Sequence, residues 1–90
     1  MSALNTMVGG SHYQAEGGIQ PIQFYHANPH LNFQQCNMIK YAFRHKDKNG
    51  LQDLLKVVHY AMLEAEFQYP KEDVEKWKLQ VANLIDPPAF

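Results

Sequence analysis

Asn37, Lys40, Tyr41, Arg44 and Lys48 recur at offsets of three, four, seven and eleven residues, so a helix carrying them would show one cationic, hydrogen-bonding stripe. A second set, Asp53, Lys56, Tyr60 and Glu64, repeats at the same helical spacing a little further on. Such residue types suit a phosphorylated ligand. Lys40, Arg44 and Lys56 can neutralise phosphate oxygens, Arg as a planar two-pronged donor and Lys as a mobile point charge. Tyr41, Tyr60 or Tyr13 can stack on a base or sugar, a contact worth roughly 1–3 kcal/mol per base in single-strand binders. Asn37 offers both donor and acceptor for reading a base edge. Asp53 can orient a lysine, hold a ribose hydroxyl or bind a metal, and the sequence does not choose among these. The plainer alternative is a solvated helix face with weak surface ion pairs, and tyrosines at the edge of a core.

The remaining candidates are weaker. His12-Tyr13-Gln14 follows Gly9-Gly10, and backbone N–H groups in glycine turns make anion pockets, so this loop could cradle a phosphate beside a histidine. It is not a P-loop, which needs a lysine followed by Ser or Thr after a glycine-bounded run. His26, His30, His45 and His59 have no cysteine or carboxylate at ligand spacing and read as surface or packing residues; no metal site is expected. Cys36 reads as a small core residue. Trp77 with Val74, Val81 and Leu84 reads as a core or oligomer face, and Pro87-Pro88-Ala89-Phe90 as a tail that docks on a neighbour.

Helices must position these residues. Pro21 suits the first position of a short helix that Asn28-Pro29 ends. Asn32 is an N-cap for a helix from Phe33 to Lys46, with Cys36, Ile39 and Phe43 as its buried seam. Asn49-Gly50 breaks it, and Leu51 to Phe67 forms the longest helix, with Leu51, Leu54, Leu55, Val58, Met62 and Ala65 as its apolar face. The short link makes the two helices antiparallel neighbours, so the two polar stripes line one groove. Pro70 separates a last helix, opened by Lys71-Glu72-Asp73 and closed by Asp86-Pro87-Pro88. The expected fold is therefore all-α: three to four short-to-medium helices around one core. A flexible, irregular, Gly-rich N-terminal arm spans residues 1–18, the helical domain residues 19–86 and a tail residues 87–90.

Ninety residues make one domain, and a chain of that size buries only about 60–65% of its unfolded surface, which favours self-association into a homo-oligomer. Eight basic and nine acidic residues argue against a general electrostatic grip on nucleic acid. One cysteine forbids an intramolecular disulfide and fits a reducing compartment. The opening residues lack the basic start and apolar run of a secretion signal, and no run of apolar residues is long enough for a membrane span, so an intracellular, soluble protein is expected.

Taken in order, His12-Tyr13-Gln14, Gly18-Ile19-Gln20-Pro21-Ile22, Asn37-Met38-Ile39-Lys40-Tyr41 with Arg44, Lys48-Asn49-Gly50, Asp53-Leu54, Lys56 and Tyr60 resemble a family of small phage proteins. That family is long catalogued as a domain of unknown function and often labelled phage nucleotide kinase; the likeness runs over roughly residues 11–67. Two positions depart from it: Cys36 stands where a glycine is common, and His59 where a bulky aromatic is common. The resemblance implies a phage-encoded protein of the host cytoplasm that binds a phosphorylated nucleotide. It also implies, after a described member, an oligomeric non-P-loop kinase of deoxynucleoside monophosphates. On that reading Lys40, Arg44 and Lys56 hold phosphates and stabilise charge developing during transfer, while Tyr13 or Tyr41 stacks on the base. His12 or Asp53 manages a proton or a metal, Asn37 orients the ligand, and Lys48 and Tyr60 complete the site. A kinase would bring Mg2+; no other cofactor is specified. Two rival readings stand: a non-enzymatic phage protein that binds and inhibits a host factor through Trp77 and Phe90, and local nucleic-acid binding by the same basic stripe.

Overall fold

Pro21 opens the first helix, α1 (Pro21–Ala27), where a missing N–H costs nothing, and Gln23 Oε1 accepts from the Gln20 N–H at 2.6 Å just before it. Its exit is set by Asn28, which Pro29 holds out of helical geometry; the Asn28 Nδ2 donates back to the Phe24 carbonyl at 2.9 Å. In the computed structural model, which describes residues 18–89, α2 (Phe33–Arg44), α3 (Leu51–Gln68) and α4 (Lys71–Ile85) follow. The glycine-bracketed arm falls almost wholly outside the described residues, as do His12, Tyr13 and Phe90. The chain is all-α, with four helices and no strand among the described residues.

Each boundary has a local cause. Asn32 caps α2 through a reciprocal pair of bonds: its Oδ1 accepts from the Gln35 N–H at 2.8 Å, and Gln35 Oε1 accepts from the Asn32 N–H at 2.9 Å. The helix, expected to reach Lys46, instead tightens after Arg44 into one 3-10 turn, His45–Asp47. Gly50 then caps α3 at φ +57°, a conformation natural to glycine, with its N–H donating to the His45 carbonyl at 2.8 Å. Extended backbone at Tyr69 and Pro70 separates α3 from α4, whose first turn carries Glu72 and Asp73 at the positive end of the helix dipole.

The α2–α3 hairpin is the packed unit, antiparallel from the Asn32–Glu64 bond at one end to the Arg44–Asp53 pair at the other. Tyr25 latches α1 to it by donating to the Cys36 carbonyl at 2.9 Å. What faces inward differs from the expected seams. Arg44 and Asp53 are the buried residues of these two helices, at 5% and 0% exposure, whereas Phe43, Leu51, Leu54, Leu55 and Val58 are exposed, Leu51 at 82%. Cys36, Ile39, Met62 and Ala65 are half-buried. The reason is rotational: Asp53, Tyr60 and Glu64, spaced seven and four apart, turn toward α2 and carry the apolar positions of α3 outward. Among the described residues Val74 is the one buried large aliphatic side chain. No described helix is long and apolar enough to cross a membrane.

Candidate functional site

The foundation of the site is the Asp53 carboxylate in the first turn of α3. Arg44 grips it as a fork, Nε to Oδ2 at 3.3 Å and Nη2 to Oδ1 at 3.2 Å. The Asn49 N–H donates to Oδ2 at 3.2 Å, and Asn49 Nδ2 reaches Oδ1 at 3.5 Å. Burial alone would push the Asp53 carboxyl up; the Arg44 hydrogen bond, the Asn49 amide and the Arg44 charge outweigh it and hold the group below the ordinary carboxylate range. A carboxylate so enclosed positions its neighbours and does not face a ligand.

Above it, three cations converge on one ring. The Arg44 guanidinium lies 4.6 Å, Lys56 Nζ 4.9 Å and Lys40 Nζ 5.4 Å from the centroid of Tyr41. Lys56 also approaches Asp53 Oδ1 at 3.7 Å, while Lys40 has no ion pair among the described residues. Three positive charges are therefore balanced by one carboxylate. The Tyr41 ring stacks on Tyr60, centroids 5.9 Å apart and planes 13° from parallel. Phe33 meets Tyr60 edge-on at 6.0 Å and stands 68% exposed, and His59 tilts against Tyr60 at 6.0 Å. The result is an aromatic shelf flanked by lysines, with an outer ring open to solvent.

The structure thus brings together Lys40, Tyr41, Arg44, Asp53, Lys56 and Tyr60. Asn37 shares their helical spacing on α2, but its Nδ2 donates to the Phe33 carbonyl at 2.8 Å. Lys48 lies exposed beyond the 3-10 turn with no ion pair among the described residues. His12 and Tyr13 are outside the described residues. Three further participants stand outside the two polar stripes. Phe33 precedes Asn37 by four residues and Tyr41 by eight, a helical spacing that is itself a signal; His59 reads in the sequence as a surface or packing residue, and Asn49 as a turn former. Among the described residues no three His, Cys, Asp or Glu side chains are grouped to hold a metal ion, and both Asp53 oxygens are engaged, so the residues here do not fit a protein-held Mg2+.

Compared with known proteins, the chain matches over residues 8–62 the model of a family described as a protein of unknown function, DUF3310. No curated protein and no solved structure matches it. The matched stretch contains the whole cluster and stops before α4.

Proposed function

The chain belongs to DUF3310, a family of proteins of unknown function, and from that premise we propose that it binds a phosphorylated nucleotide on the α2–α3 face and acts in phosphoryl transfer, as a phage protein. The observation that carries this reading is the convergence of Lys40, Arg44 and Lys56 on the single Tyr41 ring. Three cations gathered on one ring with one carboxylate among them leave an excess of positive charge, and a dianionic phosphate beside the lysines offsets more of it than a singly charged carboxylate would. Lys40 and Lys56 hold the phosphate oxygens, and Arg44, fixed by Asp53, supplies positive potential from below. Phe33, Tyr60 and His59 offer the surface for a base, with about 1–3 kcal/mol per stacked base. Fixed cations are also what phosphoryl transfer requires, since its catalysis is chiefly positioning and charge stabilisation. The resemblance of the residues from His12 to Tyr60 to phage proteins labelled nucleotide kinase supports the same reading.

The test is to incubate the full chain with each deoxynucleoside monophosphate, a triphosphate donor and Mg2+, and separate the products. Diphosphate formed above the protein-free control is expected. No diphosphate under any metal condition removes the transfer claim, and no rise in thermal midpoint with any nucleotide or phosphate removes the binding claim as well.

The same reading includes a homo-oligomer. Leu51, Leu54, Leu55 and Val58 on α3, with Phe43 on α2, form an outward apolar band that a second copy would cover. Sedimentation should give a multiple of the chain mass, and the double change Leu51→Asp with Leu55→Asp should return it to the monomer. A wild-type chain that sediments as a monomer at all concentrations contradicts the oligomer.

A further inference from the structure

Where α4 meets α2 and the far half of α3, a cavity of about 460 Å³ opens. Its walls are Met38, Val74 and two alanines; Tyr69, Trp77, Glu64 and Asp73 complete it. Glu64 is half satisfied. Its Oε2 accepts from Asn32 Nδ2 at 2.7 Å, but its Oε1 is shut off from solvent and has no hydrogen-bond partner among the described residues. An acceptor left in that state costs free energy that a donor would return. No Lys, Arg or His lines the cavity, and Lys78 on α4 is engaged elsewhere, with Glu66 at 3.3 Å and Glu75 at 3.9 Å.

We propose that this cavity binds a small aliphatic amine in its ammonium form, and a diamine best. One ammonium end pairs with the Glu64 carboxylate, whose side chain turns to bring Oε1 from behind the cavity wall to the donor it lacks, and the other meets Asp73. The methylene stem lies along Met38 and Val74, and the faces of Tyr69 and Trp77 add cation–π attraction. An anion would be repelled by two carboxylates, and a neutral apolar molecule would leave Oε1 unmet. The site shares no residue with the cluster around Tyr41, so the two readings stand or fall separately.

Trp77 is the chain's one tryptophan, so its fluorescence reports occupancy directly. The full chain is titrated with putrescine, butylamine and butanol. A saturable change is expected with putrescine, a weaker one with butylamine and none with butanol. Glu64→Gln keeps the size of the side chain and a partner for Asn32 but removes the charge, and should weaken putrescine binding about tenfold or more. Asp73→Asn, at an exposed position, should cut the preference for putrescine over butylamine without altering the circular dichroism spectrum. The proposal is overturned by no saturable putrescine signal up to roughly 10 mM, by equal responses to putrescine and butanol, or by unchanged affinity in both variants. Should Glu64→Gln fail to fold, Asp73→Asn alone decides between these outcomes.

Discussion

Arg44→Met should cost about 3–5 kcal/mol of folding stability, enough to bring a small domain close to unfolding. The change keeps most of the aliphatic bulk and deletes the guanidinium, which leaves the Asp53 carboxylate at zero exposure with Asn49 and a distant Lys56 as its remaining partners. Pairing the two charges offsets a desolvation penalty; stranding one of them incurs it in full. Arg44→Lys restores the charge but not the two-pronged grip at 3.3 and 3.2 Å, and should recover only part of the loss. Urea unfolding followed by circular dichroism measures both. A midpoint for Arg44→Met equal to that of the wild type would mean the pair is incidental. The same carboxylate fixes the pH response. Its folded pKa lies below its unfolded value, so its contribution is complete above the ordinary carboxylate range and is lost as pH falls through the folded value. Wild-type stability should therefore decline on the acid side below about pH 4, and Asp53→Asn should flatten that limb; identical limbs would assign the acid sensitivity to other groups.

Helix ends were legible in the chain because each depends on one or two local residues. Pro21, the Asn32–Gln35 box, Gly50 and Pro70 act through their own backbone geometry and hydrogen bonds, and the elements begin where these residues stand. The rotation of α2 and α3 about their axes was not legible. Apolar spacing marks Leu51, Leu54, Leu55 and Val58 as the face to bury, and in a compact monomer that inference holds. Here the line that meets α2 runs through Asp53, Tyr60 and Glu64, because a forked Arg44–Asp53 pair, two stacked tyrosines and an Asn32–Glu64 bond satisfy one another across the helices. A helical wheel scores residues by hydrophobicity one at a time, and reciprocal polar pairing between two helices lies beyond it. Tyr41, Arg44, Asp53 and Tyr60 meet across the seam of the hairpin, with Lys40, Lys56 and Phe33 at its edge, while Lys48 lies beyond the end of α2.

From that division of labour follows the expectation that Lys40→Ala with Lys56→Ala strongly weakens phosphate and nucleotide binding while leaving the fold intact. Both lysines are half-buried at most, with the Lys56 side chain 41% exposed, and the Arg44–Asp53 fork does not depend on them. Each charge-assisted contact to a phosphate contributes about 1.5–3 kcal/mol, so the double variant should bind roughly a hundredfold more weakly or worse, and each single variant roughly tenfold. Calorimetric titration with a deoxynucleoside monophosphate and with inorganic phosphate reads the loss, and unfolding in urea reads the fold. Phe33→Ala gives the complementary result: weaker binding of the nucleotide with phosphate affinity unchanged, because the ring touches the shelf and not the cations. If the double variant binds the nucleotide as the wild type does, the lysines are a solvated face around a structural tyrosine. If oligonucleotides bind tighter than mononucleotides and both lose affinity steeply with salt, the cluster is a strand-binding surface instead.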